Sequence, residues 1–308
     1  MDAAPSRRYE LGDSESPAAG VERIALGRID HALDELRGRG SARFSESVHE
    51  ARKDLKKLRS VLRLVRGEIG DAAYRRENTR YAEAGRMLSG ARDAQVKLET
   101  IDALRRRSGR MPTKTNLRAF VQELERERRS LSRAGSNRDA TVERAAAKIE
   151  AGRDAVREWA PADDGWGLVA GGFGRSYRRG RRWLRDVRED PGAENVHEWR
   201  KRVKDHWYHL RVLRQLWPDV VGVRAGQAHR LSELLGDHHD LAVLADDARE
   251  RREIFRREET LADLLAAAEE RQGELLAEAL PLGDRLYAEP RKALVSRFGS
   301  YWSAWQGR

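Results

Sequence analysis

Apolar residues recur at spacings of three and four along most of the chain, and stretches that alternate apolar with polar are lacking. That is the period of an amphipathic helix, whose positions i, i+3, i+4 and i+7 share one face. Leu, Ala, Arg and Glu fill these stretches, in keeping with helical propensity. The spacing predicts helices over 20–37, 46–67, 72–89, 92–107, 114–133 and 138–159, then over 167–189, 194–216, 220–235, 238–253, 256–280 and 289–305. Breakers fall between them: Gly38-Arg39-Gly40, Gly67 and Gly70, Gly109 and Pro112, Gly135, Pro161 to Gly165, Pro191-Gly192, Pro218, Gly236, Pro281 and Pro290. The segment from Trp159 to Gly165 reads as a linker between a first half, 19–158, and a second, 166–308. Residues 1–18, polar and rich in Pro, Ser and Ala, read as a disordered tail. Trp183, Trp199 and Trp217 read as core, since aromatic side chains at helical spacing usually pack. The expected fold class is all-α.

The two halves repeat each other. Residues 48–66 (VHEARKDLKKLRSVLRLVR) align without a gap onto 196–214 (VHEWRKRVKDHWYHLRVLR), with nine of nineteen positions identical. Leu88 to Val96 then aligns with Leu235 to Val243, which sets Arg92-Asp93 opposite His239-Asp240. Two matched blocks at nearly the same offset imply a duplicated unit of roughly 150 residues.

Wound as a helix at about 100° per residue, His49, Arg52, Lys53, Lys56 and Arg63 fall within about 60° of one line. Leu55, Leu58, Val61, Leu62 and Val65 take the other side. In the second copy His197, Arg200, Lys201, Lys204 and Arg211 form the same stripe, and Tyr208 joins it. Like charges stacked one turn apart repel, so each stripe calls for a counter-anion. A single basic face is usually just solvated. Two copies, each headed by histidine, suggest instead two ridges that approach each other around one extended anion.

Composition sharpens this. The 61 basic residues exceed the 51 acidic ones by ten, a modest surplus, but five of the nine lysines sit inside the two repeated segments. The chain has no cysteine, which excludes disulfides, a thiol nucleophile and cysteine-ligated zinc or iron–sulfur clusters. No run approaches the roughly 18 apolar residues of a membrane span. The N-terminus lacks an apolar stretch behind its arginines, so the expected setting is soluble and cytoplasmic.

The pattern His-x-x-Arg-Lys-x-x-Lys-Lys-x-Arg (His49 to Arg59, with Lys57) and its partner His-x-x-Arg-Lys-x-x-Lys-x-x-x-Tyr (His197 to Tyr208) resemble the CHAD family of histidine-containing α-helical domains. The Arg92-Asp93 and Asp240 blocks are similar to that family too, as is Gly-Arg-Ser-Tyr-Arg-Arg-Gly-Arg (174–181), which holds Arg178. The resemblance runs from about residue 20 to the end. It implies two four-helix-type bundles related by a pseudo-twofold axis, with basic residues lining a groove or pore. It also implies binding of inorganic polyphosphate and association with polyphosphate granules, without catalysis, cofactor or metal. The binding residues it implies add Lys57, Arg59, Arg92 and Arg178 to the two stripes.

Two other chemistries draw on the same residue types. Nucleic acid is the competing partner, because phosphate-binding ridges are promiscuous, yet no helix-turn-helix or aromatic stacking platform is evident. His238-His239-Asp240, with His206 and His209 three apart, has the residue types of a metal-dependent phosphohydrolase. Those two histidines lie on the apolar side of their helix, and no second carboxylate stands at ligand spacing. No phosphate-cradling loop with Lys-Ser or Lys-Thr occurs. The sequence leaves oligomeric state open.

Overall fold

The computed structural model describes residues 8–38, 44–88, 90–107, 111–133, 135–161 and 163–307; for 90–92, 131–133 and 135–137 the description stops at the backbone. The first half supplies α1 (Pro17–Arg37), α2 (Phe44–Leu64), the single turn α3 (Arg66–Ile69), α4 (Asp71–Met87), α5 (Gly90–Arg107), α6 (Arg118–Arg133), α7 (Gly135–Glu150) and the short α8 (Gly152–Arg157). The second supplies α9 (Trp166–Glu189), α10 (Ala193–Val212), α11 (Pro218–Glu250), α12 (Glu258–Leu286) and α13 (Arg291–Gln306). No strand occurs among the described residues, and the protein is all-α.

Three apolar clusters hold these helices. One joins Ile29 and Leu33 of α1, Leu58 and Leu62 of α2, Tyr81 of α4 and Ile149 of α7. A larger one joins Phe173 of α9, Trp199 and Leu210 of α10, Leu231 of α11, Leu282 of α12 and Phe298 of α13. It also takes in Val61, Leu64 and Val65 from α2 and its following turn. The third joins Ile101 of α5 and Phe120 of α6 to Leu244 of α11 and Leu264 of α12. Each half therefore completes its apolar burial on the other, and the division at Trp159–Gly165 marks a connection in sequence rather than a gap in the core.

Three expectations need revision. The predicted break at Gly236 is absent, because α11 runs unbroken through it; the glycine is buried, with Arg200 of α10 lying over the space a Cβ would occupy. Packing overrides the weak helical propensity of glycine here. Pro281, expected to end a helix, lies inside α12. In the expected tail, residues 8–16 pack against the body: Tyr9 and Leu11, its large apolar side chains, are buried in the larger cluster. The Tyr9 hydroxyl donates to the Lys57 carbonyl (3.0 Å), and the Leu11 amide donates to that of Val212 (3.0 Å). Residues 1–7 and the expected breakers Arg39, Gly40 and Gly109 lie outside the described residues.

What positions the site is the contact between α2 and α10. The buried Ser60 hydroxyl of α2 donates to the Asp205 carbonyl (3.4 Å), and the buried His209 ring of α10 donates through Nε2 to the Ser60 carbonyl (3.0 Å). Small Ser60 lets the backbones approach, and the basic stretches of both helices run N-terminal to this contact.

Candidate functional site

The two ridges meet. Lys56 of α2 feels the charges of Lys204 and Arg200 on α10 as well as that of its own neighbour Arg52, and Lys204 in turn feels Lys53. Asp240 of α11 is the one acidic group that acts on both lysines, and among the described residues neither has a carboxylate at ion-pair distance. Burial, then the neighbouring cations, push Lys56 down to about 7 and Lys204 down to about 8. Lys56 is nonetheless reached by water. Lys56 therefore lies exposed on a basic surface that α2 and α10 build together. A lysine there gives up its proton readily unless an anion arrives.

The remaining ridge residues are spoken for to different degrees. Lys53 bonds both carboxylate oxygens of Glu50 (2.8 and 2.9 Å), and Lys201, exposed, pairs with Glu198. Arg52 lies 3.9 Å from Asp93 of α5, as a carboxylate that orients a basic side chain would. The Arg200 Nε is buried with no hydrogen-bond partner. His197 stacks on His239 of α11 with ring centroids 4.1 Å apart, and its Nδ1 is an orphan too. Burial and the adjacent Lys201 and Arg200 hold His197 below the usual histidine range, while burial and His197 push His239 down to about 3. These rings are neutral at neutral pH, so the site's positive charge comes from lysine and arginine. Both His49 and His197 sit in the second turn of their helices, beyond the cap positions.

Beside the ridges lies a cleft of about 890 Å³ whose walls include Lys53, Lys57, Arg28, Trp207, Tyr208 and Arg211. Tyr208 is buried, stacked on Trp207 at 4.6 Å, and the Arg211 guanidinium lies over Trp207 (5.6 Å) and Tyr9 (5.3 Å). Buried Asp54 gathers Arg28 (3.0 Å), Lys57 (2.9 Å) and His31 (2.5 Å) beneath it. Arg28 escaped the sequence reading, being a lone cation on the apolar face of α1; a charge at a core position is the signal that marks it. Tyr9 and His229, also on the cleft wall, carried no such signal.

Other expected residues lie elsewhere. Arg63 turns from the groove to Asp205 (2.8 Å), and Arg59 donates to Asn78 (3.0 Å). Arg178 is exposed on α9, and the Arg92 side chain is outside the described residues. His206 and His209 are fully buried in the core, and no three histidine or acidic groups converge to hold a metal among the described residues. Trp199 is buried as expected, but Trp217, expected in the core, is 47% exposed; it precedes the start of α11 and meets Tyr301 edge-on. Among the described residues no helix is long and apolar enough to cross a membrane.

The sequence profile of the CHAD domain matches residues 23–249. The fold is similar to the crystal structure of the CHAD domain from the plant Ricinus communis, with a TM-score of 0.60 at 16% identity over 97% of this chain and 96% of that one. It is similar also to PptA from Streptomyces chartreusis, with a TM-score of 0.61 at 15% identity over 89% of this chain and 100% of that one. A search of curated proteins gave no match.

Proposed function

The chain belongs to the CHAD domain family, and from that premise and the geometry of the groove we propose that it binds inorganic polyphosphate between α2 and α10, without turning it over. The observation that carries this reading is the pair Lys56 and Lys204, set on opposing helices with weakened protons and, among the described residues, no carboxylate at ion-pair distance. Such a pair raises the energy of the empty groove and lowers that of an occupied one. Polyphosphate presents a repeating negative charge and no base edges, so positioned cations suffice to recognise it. Arginine forks take pairs of oxygens, and lysine supplies point charges. Arg52, Lys53, Arg200 and Arg211 continue the track into the cleft. Association with polyphosphate granules follows as the cellular expression of this binding.

Calorimetry in buffers of different ionisation enthalpy tests the reading. A bound phosphate favours the ammonium forms and raises both lysine pKa values, so binding at pH 8 takes up protons, and affinity falls as pH rises above about 7. Affinity should also fall linearly with log salt. Binding without proton uptake, or uptake unchanged in Lys56→Ala/Lys204→Ala, would remove the groove from the account. A DNA competitor that displaces long polyphosphate at equal phosphate concentration would move the assignment to nucleic acid.

A further inference from the structure

A second basic cavity lies beside the α2–α10 contact, at Asp205. It is walled by Arg63 at the end of α2, Arg66 of α3, Tyr74 of α4, Arg175 and Arg179 one turn apart on α9, and Arg202 of α10. Five arginines thus share one lining carboxylate, Asp205. Asp205 is taken up by Arg63 (2.8 Å) and Arg202 (3.4 Å), while Arg66 is held by Asp71 (2.7 Å) and stacks on Tyr74 at 4.5 Å. Arg175 and Arg179 make no ion pair among the described residues; Arg175 is half-buried and Arg179 exposed, and partial desolvation, then neighbouring arginines, hold both below the usual arginine range.

Unused donors point inward as well. Ser176, between the two arginines, is 8% exposed, and its hydroxyl has no hydrogen-bond partner. The Nε groups of Arg63, Arg175 and Arg202 are buried without partners. A buried donor left unmade is costly, and an oxyanion is the ligand that satisfies guanidinium and hydroxyl donors together. The cavity is placed firmly: Gly172 of α9 sits so close to the end of α2 that a Cβ would lie 1.8 Å from the Leu64 carbonyl oxygen.

Size separates this cavity from the groove. Its volume is about 20 Å³, against about 890 Å³ for the cleft. One water-sized group needs roughly 10–15 Å³ on that measure, so only one or two oxygens enter. The repeat makes the contrast sharper. Arg63 and Asp205 here are the sequence counterparts of Arg211 and Lys57 in the cleft, so the duplication has produced one long cationic site and one compact one.

We propose that this cavity is a separate site for a single terminal phosphoryl group, either free orthophosphate or the end of a linear phosphate chain, bound by Arg175, Arg179 and Ser176. The site stands independently of the groove. An end group carries more negative charge than a bridging unit and can insert one or two of its terminal oxygens among the convergent donors while the rest of the group stays at the mouth.

The test follows the arginine side-chain Nε resonances of the full chain by NMR during titration with sodium orthophosphate, linear tripolyphosphate and cyclic trimetaphosphate, which has no end group. Orthophosphate and tripolyphosphate should shift the Arg175 and Arg179 signals saturably, and trimetaphosphate should not. Arg179→Glu, at an exposed position where folding is checked by circular dichroism, should weaken orthophosphate binding by about tenfold or more, the scale of one charge-assisted contact. Lys56→Ala/Lys204→Ala should leave the saturable orthophosphate shift of the Arg175 and Arg179 signals in place while weakening long polyphosphate, so loss of the groove reading and loss of this one are told apart. No saturable orthophosphate shift, equal response to trimetaphosphate, or wild-type affinity in Arg179→Glu would each overturn the proposal.

Discussion

His206 carries both ring nitrogens into the core without a hydrogen-bond partner, stacked on Phe173 at 5.3 Å and close to Tyr177 and Tyr287. Burial, then Arg224 and His209, hold its pKa well below the ordinary histidine value, and burial pushes His209 down to about 4. The unfolded chain protonates these rings near pH 6.5, so below that pH it binds more protons than the native state. Their contribution to stability is complete above about pH 6.5 and is lost as pH falls toward 4. We expect His206→Phe, which keeps the aromatic packing and removes two orphan polar atoms, to raise the melting temperature at pH 7 by the equivalent of about 1–2 kcal/mol. The gain should widen at pH 5. Thermal melts of both proteins across this range check the prediction, and a mutant less stable than wild type at pH 5 would show that the ring nitrogens are satisfied. The apolar side of α10 was readable in the spacing of His206 and His209, whereas the orphan state of His206 and the Ser60 partner of His209 depend on neighbours from α9 and α2 that no local pattern encodes.

Between elements, glycine decides how closely α9 can lie on α2. At Gly172 a Cβ would meet the Leu64 carbonyl carbon at 2.4 Å and its oxygen at 1.8 Å, and backbone cannot yield as a flexible side chain does. Gly172→Ala therefore sets a helical gain of up to about 1 kcal/mol against overpacking on the order of 1–3 kcal/mol or more. A net destabilisation is expected in urea denaturation, and an alanine variant as stable as wild type would mean that the two helices are not locked at this point. Gly226 of α11, with nothing within 4 Å of its Cβ position, is the control, and alanine there should stabilise. The helices themselves were largely legible from apolar spacing, and the breakers at Pro191-Gly192, Pro218 and Pro290 mark real ends. Gly236 misled because its lack of a side chain serves Arg200 rather than a turn. The arm at residues 8–16 was unreadable for a related reason, since two isolated apolar residues form no period and gain meaning only from the hollow they fill.

At the scale of the whole molecule, the question is whether two halves make one site or two. The repeated stripes were visible in the sequence because like charges at i, i+3, i+4 and i+7 are locally unfavourable and so stand out. Their opposition across α2 and α10 is a tertiary fact, as is the enlistment of Arg28 and Tyr9 into the cleft wall. A shared site predicts coupling. Lys56→Ala and Lys204→Ala should each weaken binding of a short polyphosphate by about 1–3 kcal/mol, the range of charge-assisted hydrogen bonds. Lys204→Ala also removes a cation that lowers the Lys56 pKa, so the remaining Lys56 ammonium is better protonated and holds the ligand more firmly. The double substitution should therefore depart from the sum of the singles, since residues that share a partner are not additive. Independent sites would behave otherwise: either single change would leave one ridge at full affinity, with half the stoichiometry and no coupling. A calorimetric double-mutant cycle with a short chain distinguishes the two, and additive losses at halved stoichiometry would separate the ridges while leaving each a phosphate-binding surface.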